Sequence, residues 1–414
     1  MTTLPVGLRT LAIVQAGGAG SRMDVLTRER AKPALPFAGT HALVDFPLSS
    51  LVASGVTDVW VSVQYQSSTL DTYLAGGRPW DLDRTHGGFR RITPEQGSGP
   101  AQDDGFSHGN ADGLFRLRDE ILAFDPDVLL VLSADHVFSA DLRPMVSRHL
   151  ERGAECTVLT AEVGVREAVH NMVVHADAEG LVSAVDYKPS STRTGTVAVE
   201  IFLYEPAVLV AELERLRVLL HQGAKEHGDT GLGDFGEHLL PALVDRGRVY
   251  ADPLPGYWRD VGRPKAYLQA HRDLLAGRVD VFDHPLRPVL APSIPDPPAW
   301  FDDEARVSGS MVGPGSRVRG TVRRSVLGPR VEVGSGAVVE DSVLLGDVVV
   351  EAGASVRTAV VDEGSRVGRG ASVGAAPAGT LLTDEAITLV GRDSRVGGGR
   401  VVEAGGRLEP GTTV

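Results

Sequence analysis

From Leu11 to about Ala276, short apolar runs alternate with longer stretches whose apolar residues recur at helical spacing. The runs include LAIVQ from Leu11, VTDVWVSVQY and PDVLLVLSAD; the helix-like stretches include NADGLFRLRDEILAF and FGEHLLPALVDRG. Apolar runs bounded by turn residues predict buried strands, and their alternation with helices predicts an α/β domain on a mostly parallel sheet. Ligands in such sheets gather at the carboxyl ends of the strands. The glycine-rich segment after LAIVQ and the SAD that closes VLLVL both fall at such ends.

Proline then fills VFDHPLRPVLAPSIPDPPAW, from Val281 to Trp300, removing backbone donors and favouring an extended connection. These shifts in texture predict a first domain over residues 1–280, a linker over 281–305 and a second domain over 306–414. Within the last, three 17-residue segments stack on one another: SVLGPRVEVGSGAVVED from Ser325, SVLLGDVVVEAGASVRT from Ser342 and AVVDEGSRVGRGASVGA from Ala359. Apolar residues recurring at about every sixth position in an internal repeat predict a parallel β-helix of short rungs. A run of antiparallel hairpins is the alternative, disfavoured because alternation with a period of two is weak. Hexapeptide acyltransferases resemble this repeat but rely on a histidine base, and no histidine follows His284. The coil is therefore expected to serve as a packing surface.

A chain of 414 residues supports a large core and two domains, and its net charge of −13 without a basic tail argues against nucleic-acid or membrane-surface binding. An anionic substrate would need a locally basic pocket. The single cysteine, Cys156, excludes an internal disulfide and reads as a small core residue. No apolar run approaches the roughly 20 residues that cross a bilayer, and MTTLPVGLRT lacks the apolar region of a secretory signal, so a cytoplasmic location is expected.

The chemistry begins after the first strand. Ala16, Gly17, Gly18 and Gly20 form a bare loop in QAGGAGS, where small residues can expose backbone N–H groups to phosphate oxygens and Arg22 can add a charge-assisted fork. A dinucleotide fingerprint would need glycine where Met23 stands, and a Walker loop would need Gly-Lys-Ser/Thr, so neither fits. On the loop alone, a plain structural turn stays open. Asp135, at the end of VLLVLSAD, is either a turn cap or a ligand for a hard cation such as Mg²⁺, which takes carboxylate oxygens together with substrate phosphates.

With Lys32 the pattern becomes specific. AGGAGSRM followed by LTRERAKPALPF resembles the signature of nucleoside-diphosphate-sugar pyrophosphorylases, and RAKPA is similar to the form in the ADP-glucose pyrophosphorylase (glucose-1-phosphate adenylyltransferase) family. Further likenesses follow in chain order. QYQSSTL, with Gln64, resembles QYQSHTL; Gln96 in PEQ stands where the family reads adenine; GNADG, with Gly109 and Asp112, resembles GTADA; DYKP retains Lys188; GDFGEHLLP resembles HDFGKDLIP; and YWRDVGRP resembles WxDxGT, with Asp260 as partner to Asp135.

The resemblance spans nearly the whole chain. It implies a Rossmann-like nucleotidyltransferase domain followed by a left-handed parallel β-helix, and the reaction of ATP with glucose 1-phosphate to give ADP-glucose and pyrophosphate for glycogen or glucan synthesis. It also implies Mg²⁺ on Asp135 and Asp260, Arg22 on the leaving phosphates, Lys32 on the phosphates being exchanged, Lys188 on the sugar phosphate, and a homotetramer assembled through the β-helix. Departures cluster on the sugar side: Tyr187 replaces the Glu before the sugar-phosphate Lys, Ala198 and Glu200 replace Ser and Gly of SMGIYVF, and Asn171 replaces Gly of FGVM. Such changes leave two other readings open, a nucleotide-sensing regulatory subunit paired with an active homologue, and a transferase for another pair such as mannose 1-phosphate with GTP. Where the family binds activating sugar phosphates this chain has Glu29, Pro36 and Ala42 and retains Arg30, which implies weak or absent activation by fructose 1,6-bisphosphate.

Overall fold

The computed structural model describes residues 5, 7–18, 20–94, 106–220, 230–282, 284, 287–376 and 382–414. The first strand, Thr10–Ala16, lies at the centre of the main sheet, flanked in parallel by Asp58–Val63 and Val128–Ser133, with Phe89–Ile92 parallel beyond Asp58–Val63. Leu11, Ala12, Ile13 and Val14 are fully buried, as expected of a strand with both faces covered.

On the other flank the directions mix. Thr196–Tyr204 runs antiparallel to Val128–Ser133 and to Cys156–Glu162, while Val182–Tyr187 pairs antiparallel with Met172–Ala176 and Val249–Pro253 returns parallel to Cys156–Glu162. The sheet is thus parallel where the glycine loop and SAD emerge and mixed where the chain turns toward residues 171–204. A separate two-stranded ribbon pairs His136–Phe138 with Trp258–Asp260, setting Asp260 opposite His136. Among the described residues no helix is long and apolar enough to cross a membrane.

Residues 287–299 carry no helix or strand, and Trp300–Phe301 pairs in parallel with Arg317–Val318 as the first strand of the coil. The coil is a left-handed parallel β-helix of three six-stranded sheets. Its 17-residue period is visible in the register: Val326 lies beside Val343, and Val343 beside Val360. Leu327, Val333, Val339, Leu344, Val350, Val356, Val361, Val367 and Val373 all point into one dry column. Fully burying each such side chain contributes about 1.5–3 kcal/mol, which lets a rung of two- and three-residue strands hold together. Cys156 is buried in the main domain, and burial pushes its thiol well above the ordinary range.

The coil packs against the first domain. Val343, Leu345, Val360 and Leu389 share a core with Leu35, Phe37, Tyr267 and Leu274. Around this core, Arg30 pairs with Asp362 at 3.0 Å and Glu363 at 2.9 Å, Arg272 with Asp341 at 2.9 Å, and Arg407 with Asp24 at 3.0 Å.

Candidate active site

A cavity of about 450 Å³ opens at the carboxyl ends of the parallel strands. Its first wall is the glycine loop, where Ala16, Gly17 and Gly18 line the opening. A Cβ on Gly17 would come within 2.7 Å of Gln64 Nε2, so bare backbone is what allows Gln64 to lie across the loop. Gln64 Oε1 accepts the Ser107 N–H at 3.0 Å, tying the loop to the segment that leads into Gly109. Gly20 does not line the cavity. It adopts the left-handed region at φ 65°, and a Cβ there would stand 3.1 Å from the Cβ of Lys32. The turn therefore makes room for Lys32 as well as reversing the chain.

Lys32 is buried and forms a salt bridge with Asp135, with Asp260 Oδ1 3.9 Å from its ammonium. Burial would lower the pKa of Lys32, but the two carboxylates outweigh it and hold the ammonium above its ordinary range. Burial likewise opposes charge on Asp135, yet Lys32 and His136 keep that carboxyl well below the usual carboxylate range. His136 lies between the acids, its Nε2 3.7 Å from Asp135, 3.6 Å from Asp260 and 3.7 Å from Glu200. Against the effect of burial, Glu200, Asp260 and Asp135 raise its pKa. Enclosure by the cavity walls, together with the neighbouring Asp135 and Asp260, raises Glu200, although its side chain stays open to the cavity, against the opposing pull of His136 and a hydrogen bond with Ser133.

The Asp135–Asp260 approach comes from the two-stranded ribbon, which brings together residues far apart in sequence. Asp260 Oδ1 is buried with no hydrogen-bond partner among the described residues. An orphaned carboxylate oxygen beside a second carboxylate is a donor set that fits a small hard cation. Arg22 lines the same cavity, its guanidinium near Asp260 across Gly262.

The far wall comes from the mixed flank. Tyr187 Oη donates to Asp234 Oδ2 at 2.6 Å, and Lys188 Nζ reaches Tyr187 Oη at 2.6 Å while lying over that ring. Burial and the adjacent Asp234 raise the Tyr187 phenol well above its ordinary range. Asp234 precedes a single π-type turn, Phe235–Leu239, whose Gly236 presses on the Tyr187 ring; a Cβ there would meet Tyr187 Cδ2 at 2.4 Å. Asn171 lines this wall with its amide donating to the Glu167 carbonyl at 3.0 Å.

A nucleotidyl transferase family model matches residues 11–277, and a GlmU-like, C-terminal hexapeptide model matches residues 297–390. A glucose-1-phosphate adenylyltransferase of Desulforamulus reducens is 32% identical over 357 residues, covering 85% of this chain and 86% of that protein. Another, from Geobacillus stearothermophilus, is 34% identical over 335 residues, covering 80% and 83%. A third, from Bacillus licheniformis, is 33% identical over 327 residues, covering 78% and 83%. This chain belongs to the glucose-1-phosphate adenylyltransferase family.

Against that family pattern, one cavity brings together Ala16, Gly17, Gly18, Arg22, Lys32, Gln64, Gly109, Asp135, Asn171, Tyr187, Lys188, Glu200 and Asp260. Gln96 lies outside the described residues. Asp112 does not line the cavity. Its fully buried carboxylate accepts the His108 N–H at 2.8 Å, Arg116 Nε at 3.1 Å and Thr230 Oγ1 at 2.8 Å, so it anchors the loop carrying Gly109. His136 and Asp234 were not singled out as site residues by sequence reasoning. His136 could have been found only as the neighbour of Asp135, and Asp234 only as the acid inside GDFG, because their partners come from remote strands. Of the positions compared with the family's activator site, Arg30 is buried in its ion pair with the coil, Ala42 is buried and Glu29 is exposed.

Proposed function

We propose that this chain catalyses adenylyl transfer from ATP to glucose 1-phosphate. A phosphate oxygen of glucose 1-phosphate attacks the α-phosphorus of ATP, the bond to the β-phosphate breaks, and ADP-glucose and pyrophosphate result. The observation that carries this reading is the convergence of Lys32, Asp135 and Asp260 at the head of a cavity bounded by the glycine loop on one side and Lys188 on the other. Little covalent work is asked of a protein in such a step; alignment and neutralisation of charge supply most of the acceleration.

In this reading the backbone of Ala16, Gly17 and Gly18 receives triphosphate oxygens, Arg22 takes the leaving β,γ-phosphates, and Lys32 bridges oxygens of the two phosphates being joined. Gln64, Gly109 and Gln96 hold the nucleoside, while Gly20 and Asp112 shape the loops that carry them. Lys188 holds the sugar phosphate; Asn171, Tyr187 and Glu200 face the sugar. Asp135 and Asp260 would hold Mg²⁺, which when bound neutralises charge on the α-phosphate. Assembly is as a homotetramer through the coil.

Purified protein with Mg²⁺, assayed for pyrophosphate release over a panel of nucleoside triphosphates and sugar 1-phosphates, tests the reading. Release with ATP and glucose 1-phosphate is expected, with little rise on adding fructose 1,6-bisphosphate. Release confined to another pair, such as GTP with mannose 1-phosphate, would reassign the substrates. No release with any pair would overturn the catalytic reading in favour of a nucleotide-sensing subunit.

A further inference from the structure

Glu200 is the one exposed residue in a nine-residue strand, Thr196–Tyr204, whose remaining members from Val197 onward are buried. It reaches the cavity by a local distortion. Ala198 lies opposite Thr160 but Phe202 lies opposite Val158, so this strand carries two more residues than its partner over that step. Inside the bulge Glu200 takes φ 54°, the left-handed region that favours glycine, which the family has here. Strain of this kind persists only where the surroundings hold it, and bulges re-aim side chains beside active sites.

The carboxylate is aimed at a definite place. Ile201 pairs with Leu132, so the next residues along the two strands are Glu200 and Ser133, directly before Ala134 and Asp135. The Val199 carbonyl accepts the His136 ring nitrogen at 3.0 Å, and Glu200 Oε2 lies 3.7 Å from His136 Nε2, beyond hydrogen-bond reach. Elsewhere on the sugar wall, Asp234 already accepts from Tyr187, and the Asn171 amide is donated to Glu167. Glu200 already meets Ser133 and the His136 ring, but a carboxylate has about four acceptor sites, and this one is exposed to the cavity at the end nearest the acids that meet the phosphates.

That end has a chemical meaning. The phosphate on C1 of the sugar must lie beside Asp135 and Asp260 for attack, and the ring substituent nearest to it is the one on C2. A hydroxyl there can donate to the Glu200 carboxylate, but a protonated amine adds the attraction of opposite charges to the hydrogen bond. We propose that Glu200 is a specificity-determining residue that admits, alongside glucose 1-phosphate, a hexose 1-phosphate bearing a protonated amine at C2. The inference rests on reading the cavity as a sugar 1-phosphate site.

The test compares kcat/KM for glucosamine 1-phosphate, N-acetylglucosamine 1-phosphate and glucose 1-phosphate, with ATP and Mg²⁺, in the natural protein, Glu200→Gln and Glu200→Gly. The glycine variant relieves the left-handed strain, so its folding is not endangered. Turnover of glucosamine 1-phosphate is expected, with its ratio to glucose 1-phosphate falling by about tenfold or more in both variants. The neutral N-acetyl compound should not follow that fall. An unchanged ratio, an equal loss on every sugar, or no use of glucosamine 1-phosphate by a protein that turns over glucose 1-phosphate would each overturn the inference. Calorimetric binding of glucosamine 1-phosphate needs no turnover. Binding weakened by Glu200→Gln in a protein without transferase activity would sustain the role of Glu200 while sinking the catalytic reading; binding unaffected by that change would sink the inference itself.

Discussion

Lys32 owes its place to a missing methyl group. Gly20 turns through the left-handed region directly against the lysine's Cβ, and the ammonium then falls between Asp135 and Asp260. Because Lys32 is buried, removing the whole Asp135 side chain would mix the loss of a proposed metal ligand with a fold left holding an unpaired charge. Asp135→Asn keeps the shape and is the cleaner probe. Its kcat is expected to fall by about a hundredfold or more, with a folded protein still seen by circular dichroism; substantial remaining turnover would remove Asp135 from the proposed chemistry. The motifs made Gly17, Arg22, Lys32, Asp135 and Asp260 legible because each sits in a short local pattern. Asp112 looked the same in its motif, yet its carboxylate turns inward to three donors. A motif identifies a residue, whereas the direction of its side chain is settled by what packs around it.

At the scale of elements, the alternation of apolar runs and helices made the α/β class and the parallel half of the sheet legible. It could not reveal that Thr196–Tyr204 runs antiparallel, because a strand buried on both faces has the same apolar texture in either direction. The coil was legible from its 17-residue period, since a repeat in sequence becomes a repeat in space when each rung buries the same column. The helix Pro264–Leu275, which joins the two architectures, carries a pH-sensitive contact. His271 is buried against Phe37 and Tyr267; its Nε2 accepts the Ala38 N–H at 3.3 Å, so Nδ1 donates to the Tyr267 carbonyl at 2.9 Å and the ring is neutral. Burial pushes its pKa down to about 4 from an ordinary 6.5. The folded state thus binds fewer protons than the unfolded state between these values. Its stabilising contribution is complete above pH 6.5 and is lost as the pH falls toward 4, on the order of 3 kcal/mol in all. Urea unfolding at steps of pH should show this acid limb, and it should be shallower in His271→Gln; an identical slope would assign the acid sensitivity elsewhere.

For the molecule as a whole, the two domains share an apolar core and are clasped by ion pairs, so the coil is part of the support of the first domain. Arg30 reaches Asp362 from a position two residues before Lys32, which ties the segment carrying the lysine directly to the coil. At the coil's other end Trp300 and Phe301 are each 48% exposed, an apolar pair on the first strand that is available to another copy of the chain. Light scattering is expected to give a mass near four chains, and replacing both aromatics by Ser should lower it; a monomer in the natural protein would refute assembly through the coil. The rung spacing also governs which length changes the gene can tolerate. Losing one residue within a strand would turn its inward valine out of the column, whereas the corners absorb changes of length: Val318 lies beside Val333, fifteen residues on, and Val333 beside Val350, seventeen on, with the column unbroken. Descendants of this coil should therefore differ in length at its corners or by whole storeys, and not within a strand.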